Sequence, residues 1–165
     1  MPFHVNCYGS DLRLSGRDKG MLAPPSPAPW RCYDVGRAVA KILSDSLWRV
    51  AVIGSSSWSH ASLTTKHGYL YPDIESDRLR LEELRGDRVN LWRELSGEQL
   101  RDAGQHEMLN WICLAGAMEG RKAELLSTAR ATSSTPTNQL PSSPHSTMAN
   151  VPGLGMVDQR QMACR

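Results

Sequence analysis

The sequence predicts an α/β fold in which helices pack on a sheet. Residues 49–53 form an apolar run with β-branched side chains, which is typical of a buried strand. Residues 32–47 come just before it and place Val35, Val39 and Ile42 on one stripe, as in an amphipathic helix. A helix followed closely by a strand favours an α/β layer.

The predicted strand leads to a histidine. After Ile53 the sequence changes to Gly54 and four serines and reaches His60. A loop just beyond a strand can expose a reactive group, and an imidazole can act as a general base near neutral pH. His60 is therefore the first candidate for catalysis. The alternative, that His60 only caps or hydrogen-bonds a turn, stays open.

The other elements follow from local patterns. Residues 3–7 are predicted to form a short strand, and the proline-rich residues 23–29 an extended connector. Asp73 is the predicted N-cap of a helix over residues 74–88. Its charged pairs, Arg78 with Glu82 and Arg80 with Glu83, indicate a solvated face. Residues 96–99 fit a capping box that begins a short helix ending near Gly104.

Residues 106–126 are predicted to form a buried helix, because almost no polar face is left between Met108 and Ala115. Glu107 lies in its first turn. The simple interpretation is a carboxylate that the helix dipole favours. The functional interpretation is that an acid entering a buried helix can bind a cation.

Composition divides the chain of 165 residues into two parts. Residues 1–127 hold the apolar content of one domain, and residues 128–165, rich in Ser, Thr and Pro, are predicted to be a disordered tail.

The net charge is only +2 and no basic run occurs, so we expect no nucleic-acid partner. No apolar run is long enough to span a bilayer and no signal peptide begins the chain, so we expect no membrane partner. Four scattered cysteines indicate free thiols and a cytoplasmic location.

Three kinds of catalytic site can be weighed. A serine hydrolase elbow is not matched, because Trp58 stands where the second glycine of G-x-S-x-G belongs. A zinc site lacks both HExxH and paired cysteines. A non-haem iron site needs two histidines and one carboxylate. Glu107 is a candidate carboxylate, but the spacing of the histidines indicates no pair.

Four segments, in order, resemble a known family. Residues 50–60 (VAVIGSSSWSH) resemble the strand-to-histidine segment of class III extradiol ring-cleavage dioxygenases, the LigB superfamily typified by the catalytic subunit of protocatechuate 4,5-dioxygenase. Residues 104–118 (GQHEMLNWICLAGAM) resemble its late helix, and residues 3–8 and 29–38 its middle region. The resemblance extends over residues 2–120 and corresponds to the carboxy-terminal half of the family's domain.

The resemblance implies roles for two residues. His60 falls at the position of the acid–base histidine beside the bound catechol, and Glu107 at that of the carboxylate ligand of Fe(II). The implied function is Fe(II)-dependent extradiol cleavage of a catechol-type aromatic ring with O2. The implied enzyme class is therefore an oxidoreductase of aromatic compound catabolism.

The sequence departs from the family in its metal ligands. The two iron-binding histidines of the family lie upstream of the segment that matches His4, so we expect the chain to lack them and to be inactive alone. The alternative is a non-catalytic remnant or interaction subunit that pairs with a full-length homologue. A homo-oligomer is also compatible with the sequence.

Overall fold

The structure is a computed structural model that describes residues 2–9, 24–128 and 146–149. Its four α-helices are α1 (Pro29–Ser44), α2 (Ile74–Arg85), α3 (Gly97–Asp102) and α4 (Met108–Ala117). Three 3-10 turns lie at Ala61–Leu63, Thr65–His67 and Val89–Glu94, and two strands at β1 (Glu124–Thr128) and β2 (Ser146–Ala149). The described part of the chain is therefore mostly helical.

Helix α4 is the centre of the core. Met108 and Ile112 are completely buried, and Trp111 packs edge-on against Trp58 with ring centroids 4.8 Å apart. Helix α1 lies directly against α4, because glycines occupy the crossing: a Cβ at Gly36 would lie 1.7 Å from the carbonyl oxygen of Cys113. The predicted burial of this helix is confirmed, and its backbone is held close to α1.

The local helix signals of the sequence are confirmed. Asp73 caps α2 and accepts a hydrogen bond from the Ser76 N–H. At α3, the Ser96 side chain accepts from the Gln99 N–H while the Gln99 side chain accepts from the Ser96 N–H, which is a complete capping box. Both motifs satisfy backbone donors within four residues, so tertiary context is not needed to specify them.

One prediction about α2 is wrong. Arg80 and Glu83 do not belong to a solvated face, since they are only 8% and 6% exposed. The Arg80 guanidinium lies 3.2 Å from the Glu83 carboxylate, which also accepts a hydrogen bond from the indole N–H of Trp92. Arg80 and Glu83 are therefore buried next to Trp92. The other predicted pair, Arg78 and Glu82, is exposed.

The predicted sheet packing is not found in the described residues. Residues 49–57 form no strand there, and neither do residues 3–7. Residues 49–53 are also not buried as predicted, since they are exposed or half-buried and Ile53 is 60% exposed. The two strands that do form, β1 and β2, pair antiparallel, and the helices pack mainly on each other. Helix α4 also ends earlier than predicted, because the chain turns at Gly120, whose φ of 75° suits glycine.

Two further predictions concern the chain as a whole. Strand β2 lies within the segment predicted to be disordered, most of which is outside the described residues, so the domain boundary stays a prediction. Cys7, Cys32 and Cys113 are free thiols, and Cys164 lies outside the described residues. None of the helices in the described part is long and apolar enough to cross a membrane.

Candidate functional site at His60 and Glu107

The carboxylate of Glu107 lies at the start of α4 and is held by two hydroxyl groups. Glu107 occupies the N-cap position, but its side chain makes no capping hydrogen bond. Instead Oε1 accepts from the Tyr8 hydroxyl and Oε2 accepts from Ser57 Oγ at 2.7 Å. The backbone carbonyl of Glu107 accepts from Ser56 Oγ at 2.6 Å. The carboxylate is therefore aimed away from its own helix, toward the serine-rich segment.

His60 meets Glu107 at this segment. Its Nε2 lies 3.9 Å from Glu107 Oε1 and 2.7 Å from Ser57 Oγ. A hydroxyl has one proton, so Ser57 accepts from the imidazole N–H while it donates to Glu107. The three side chains form a short hydrogen-bonded chain. Both ionisable groups keep about a quarter of their side-chain surface exposed, 27% for His60 and 28% for Glu107.

The position of His60 is set by the turn before α4. The His60 N–H donates to the Gly104 carbonyl at 3.0 Å, and the His60 carbonyl accepts from Thr64 Oγ1 at 2.8 Å. Gly104 has a φ of 65°, and a Cβ there would lie 2.7 Å from the His60 carbonyl oxygen. A side chain at this position would therefore displace the His60 backbone.

The electrostatics of the site favour an ionised carboxylate. Hydrogen bonding to His60 has the largest effect on the pKa of Glu107, and Tyr8 and Ser57 lower it further, to about 2. Burial of the carboxylate acts in the opposite direction. Burial and the hydrogen bond to Glu107 raise the pKa of Tyr8, so this phenol stays a proton donor. Tyr8 is also stacked on His106, with ring centroids 5.6 Å apart. The site thus holds a negative charge next to a titratable imidazole.

The geometry is not that of a hydrolase triad, although a serine, a histidine and an acid meet here. In a triad the serine and the acid bind opposite ring nitrogens of the histidine. Here Ser57 Oγ and Glu107 Oε1 both lie on the Nε2 side of His60. Glu107 therefore does not orient His60 toward Ser57, and the serine is a bridge rather than an activated nucleophile.

The described residues do not fit an iron ion on their own. No group of three or more His, Cys, Asp or Glu side chains in the described ranges is arranged to hold a metal. Both oxygens of Glu107 are already engaged by hydroxyl donors. A cavity of about 290 Å³ lined by Lys66, Arg80 and Gln105, among others, does not include His60 or Glu107.

The sequence predicted the two ionisable groups but not their partners. His60 Nε2 and Glu107 Oε1 lie 3.9 Å apart although the residues are distant in the chain, and the His60 side chain makes no capping hydrogen bond. Their catalytic and metal-binding roles stay predictions. Tyr8 and Ser57 were missed, because no local pattern indicates a contact between Tyr8 and Glu107 across 99 positions.

The fold and the site together define a helical protein with a carboxylate–hydroxyl–imidazole cluster suited to proton transfer. In a comparison with protein families, residues 21–140 match the catalytic LigB subunit of aromatic ring-opening dioxygenases. This match covers most of the chain, so the chain belongs to the LigB family. No curated protein and no solved structure matches it.

Proposed function

We propose that this chain supplies one part of the active site of an Fe(II)-dependent extradiol dioxygenase that cleaves a catechol-type aromatic ring with O2. One observation carries the proposal. In a chain of the LigB family, His60 and Glu107 converge to 3.9 Å although they come from separate segments. The family match supports aromatic ring opening, and the convergence supports a site at these residues.

In this proposal His60 is the acid–base residue. An imidazole can take a proton from a ring hydroxyl and return it later at neutral pH. Ser57 connects His60 to Glu107, and a hydroxyl can reverse its donor direction, so the cluster can adjust to either protonation state of His60. Glu107 is the carboxylate that we propose as this chain's contribution to the metal site.

The remaining metal ligands must come from outside the described residues, because the described residues hold no cluster of three candidate ligands. We propose that a polypeptide carrying two histidines completes the site. We propose residues 49–56 as its contact: they alternate between exposed and half-buried, and Ile53 is 60% exposed. A partner that covers the exposed side chains would remove apolar surface from water.

The second candidate function is an interaction subunit without catalysis, which pairs with a full-length homologue. The same exposed side chains in residues 49–56 favour it, since a contact there needs no metal. The two functions differ in one observable. A catalytic part gains turnover when the histidine-bearing polypeptide is supplied, whereas an interaction subunit gains only a partner.

The test is complementation. The chain is co-expressed with the histidine-bearing segment of a LigB-family enzyme, loaded with Fe(II) anaerobically, and assayed in air for the ring-opened product of a catechol. We expect turnover only in the combination, and His60→Ala to lower turnover far more than iron content. His4→Ala, which removes an exposed imidazole, is the matched control and leaves both unchanged. Equal turnover with and without His60 would overturn the catalytic assignment.

A complex that forms without turnover would favour the interaction subunit. The comparison then requires that the complex be stoichiometric and loaded with iron, so that lack of turnover reports on the site.

A further inference from the structure

We propose that Asp77 is a positioning residue that holds His60 and Glu107 at their working separation. Asp77 lies on α2 and is only 9% exposed. Its carboxylate accepts hydrogen bonds from two segments of chain, one that carries His60 and one that carries Glu107. The proposal rests on the proposed function for the meaning of the site, although its main test needs no turnover.

Three hydrogen bonds make this connection. Asp77 Oδ1 accepts from the Ser59 N–H at 2.9 Å and from the Gln105 amide nitrogen at 2.7 Å. Asp77 Oδ2 accepts from Ser59 Oγ at 2.6 Å. Ser59 directly precedes His60, and Gln105 comes two residues before Glu107. One carboxylate thus ties together the two segments that deliver the site.

The connection requires a side chain at position 77 that accepts hydrogen bonds. The backbone N–H of Ser59 and the Gln105 NH2 group are donors only, and both are buried. An ionised carboxylate accepts from all three groups at once, whereas leucine, an apolar side chain of similar size, accepts from none of them. Asparagine is a weaker test, because its Oδ1 can accept from both N–H donors while its NH2 group donates to Ser59 Oγ.

Helix α2 offers a matched control. Glu83 is also a buried carboxylate on α2, and it accepts a hydrogen bond from the Trp92 indole at 2.8 Å. Its carboxylate pairs with Arg80 and Trp92, which lie outside the segments that carry His60 and Glu107. Glu83→Met therefore replaces a buried acid of the same helix by an apolar side chain without cutting the connection at Asp77.

The first experiment measures the site by NMR in the full chain. The ring 15N shifts of His60, assigned with His60→Ala, and the carboxyl 13C shift of Glu107, assigned with Glu107→Gln, are compared in Asp77→Leu and Glu83→Met. We expect Asp77→Leu to move both sets of signals and Glu83→Met to move neither, even where both lower the unfolding midpoint. Unchanged His60 and Glu107 signals in Asp77→Leu would overturn the proposal, as would equal changes in the two variants.

Gln105→Met decides the question if Asp77→Leu does not fold. It leaves both bonds from Ser59 and removes only the connection toward Glu107. We expect the Glu107 signal to move more than the His60 signals. Movement of neither signal would show that the connection positions nothing.

The second experiment uses the complemented enzyme described above. A displacement of about 1 Å can lower a rate on the order of 100-fold. We expect a kcat loss of that order in Asp77→Leu, with iron content unchanged. If the complemented enzyme has no turnover while the NMR signals move as expected, the proposed function fails and the positioning role of Asp77 stands.

Discussion

Replacement of Glu107 by glutamine should lower the stability of the chain in a manner that depends on pH. The pKa of Glu107 is about 2 in the folded protein, compared with an ordinary value of 4.5. At 1.36 kcal/mol per pKa unit, this depression corresponds to about 3 kcal/mol of stability. Because the folded-state pKa is depressed, the contribution is present above pH 4.5 and is lost as the pH falls from 4.5 toward 2.

The assay is urea unfolding of wild type and Glu107→Gln at pH 7, 5 and 3. We expect the wild type to be more stable by up to about 3 kcal/mol at pH 7, and the difference to shrink by pH 3. Glu98→Gln is the control, because Glu98 is an exposed acid in the first turn of α3 and such substitutions change stability by about 0.5 kcal/mol or less. A difference that stays constant across the three pH values would refute the reasoning, since it would arise from packing rather than from charge.

Two further substitutions test the contacts around the site. Tyr8→Phe removes the hydroxyl that donates to Glu107 and keeps the ring stacked on His106, so we expect it to lower the free energy of unfolding in urea at pH 7 by about 1.5–3 kcal/mol. Tyr71 is exposed, so Tyr71→Phe should change the stability little. Equal losses in the two variants would contradict the contact between Tyr8 and Glu107. Gly36→Ala places a Cβ 1.7 Å from the Cys113 carbonyl oxygen and should cost about 1–3 kcal/mol or more, as thermal unfolding would show. Gly97→Ala, whose Cβ would meet its nearest atom, Arg101 Nη1, at 3.5 Å, should cost little, and a similar midpoint for the two alanine variants would argue against the close crossing of α1 and α4.

The features that the sequence predicted are those determined within a few residues. The Asp73 cap and the Ser96 capping box satisfy backbone donors three residues away, so their residue types suffice. The apolar helix α4 is specified by its own composition. His60 and Glu107 could be singled out because each is an ionisable group at the end of an apolar segment.

The features that it did not predict depend on partners distant in the chain. Arg80 and Glu83 have the spacing of a solvated pair, and only the indole of Trp92 explains why they are buried. The apolar, β-branched run at residues 49–53 predicts a strand, but a strand also needs a neighbour, and the described residues show no strand beside this run. From the sequence, Asp77 is an ordinary acid in the first turn of a helix, and only the structure shows that it accepts hydrogen bonds from Ser59 and Gln105.

Binding of Fe(II) by the chain alone tests whether the site needs completion. In the described residues Glu107 is the carboxylate of the site, and its two oxygens are engaged by Tyr8 and Ser57. A metal would have to displace these donors and would gain no cluster of three ligands in return, so we expect no saturable heat when Fe(II) is titrated anaerobically into the chain. The same titration into the complemented protein should saturate at one iron per site and weaken in Glu107→Gln. His145 lies outside the described residues, so His145→Ala is measured in parallel. Stoichiometric binding to the lone chain that Glu107→Gln abolishes would show that this chain supplies all the ligands itself, and the need for a second polypeptide would be refuted.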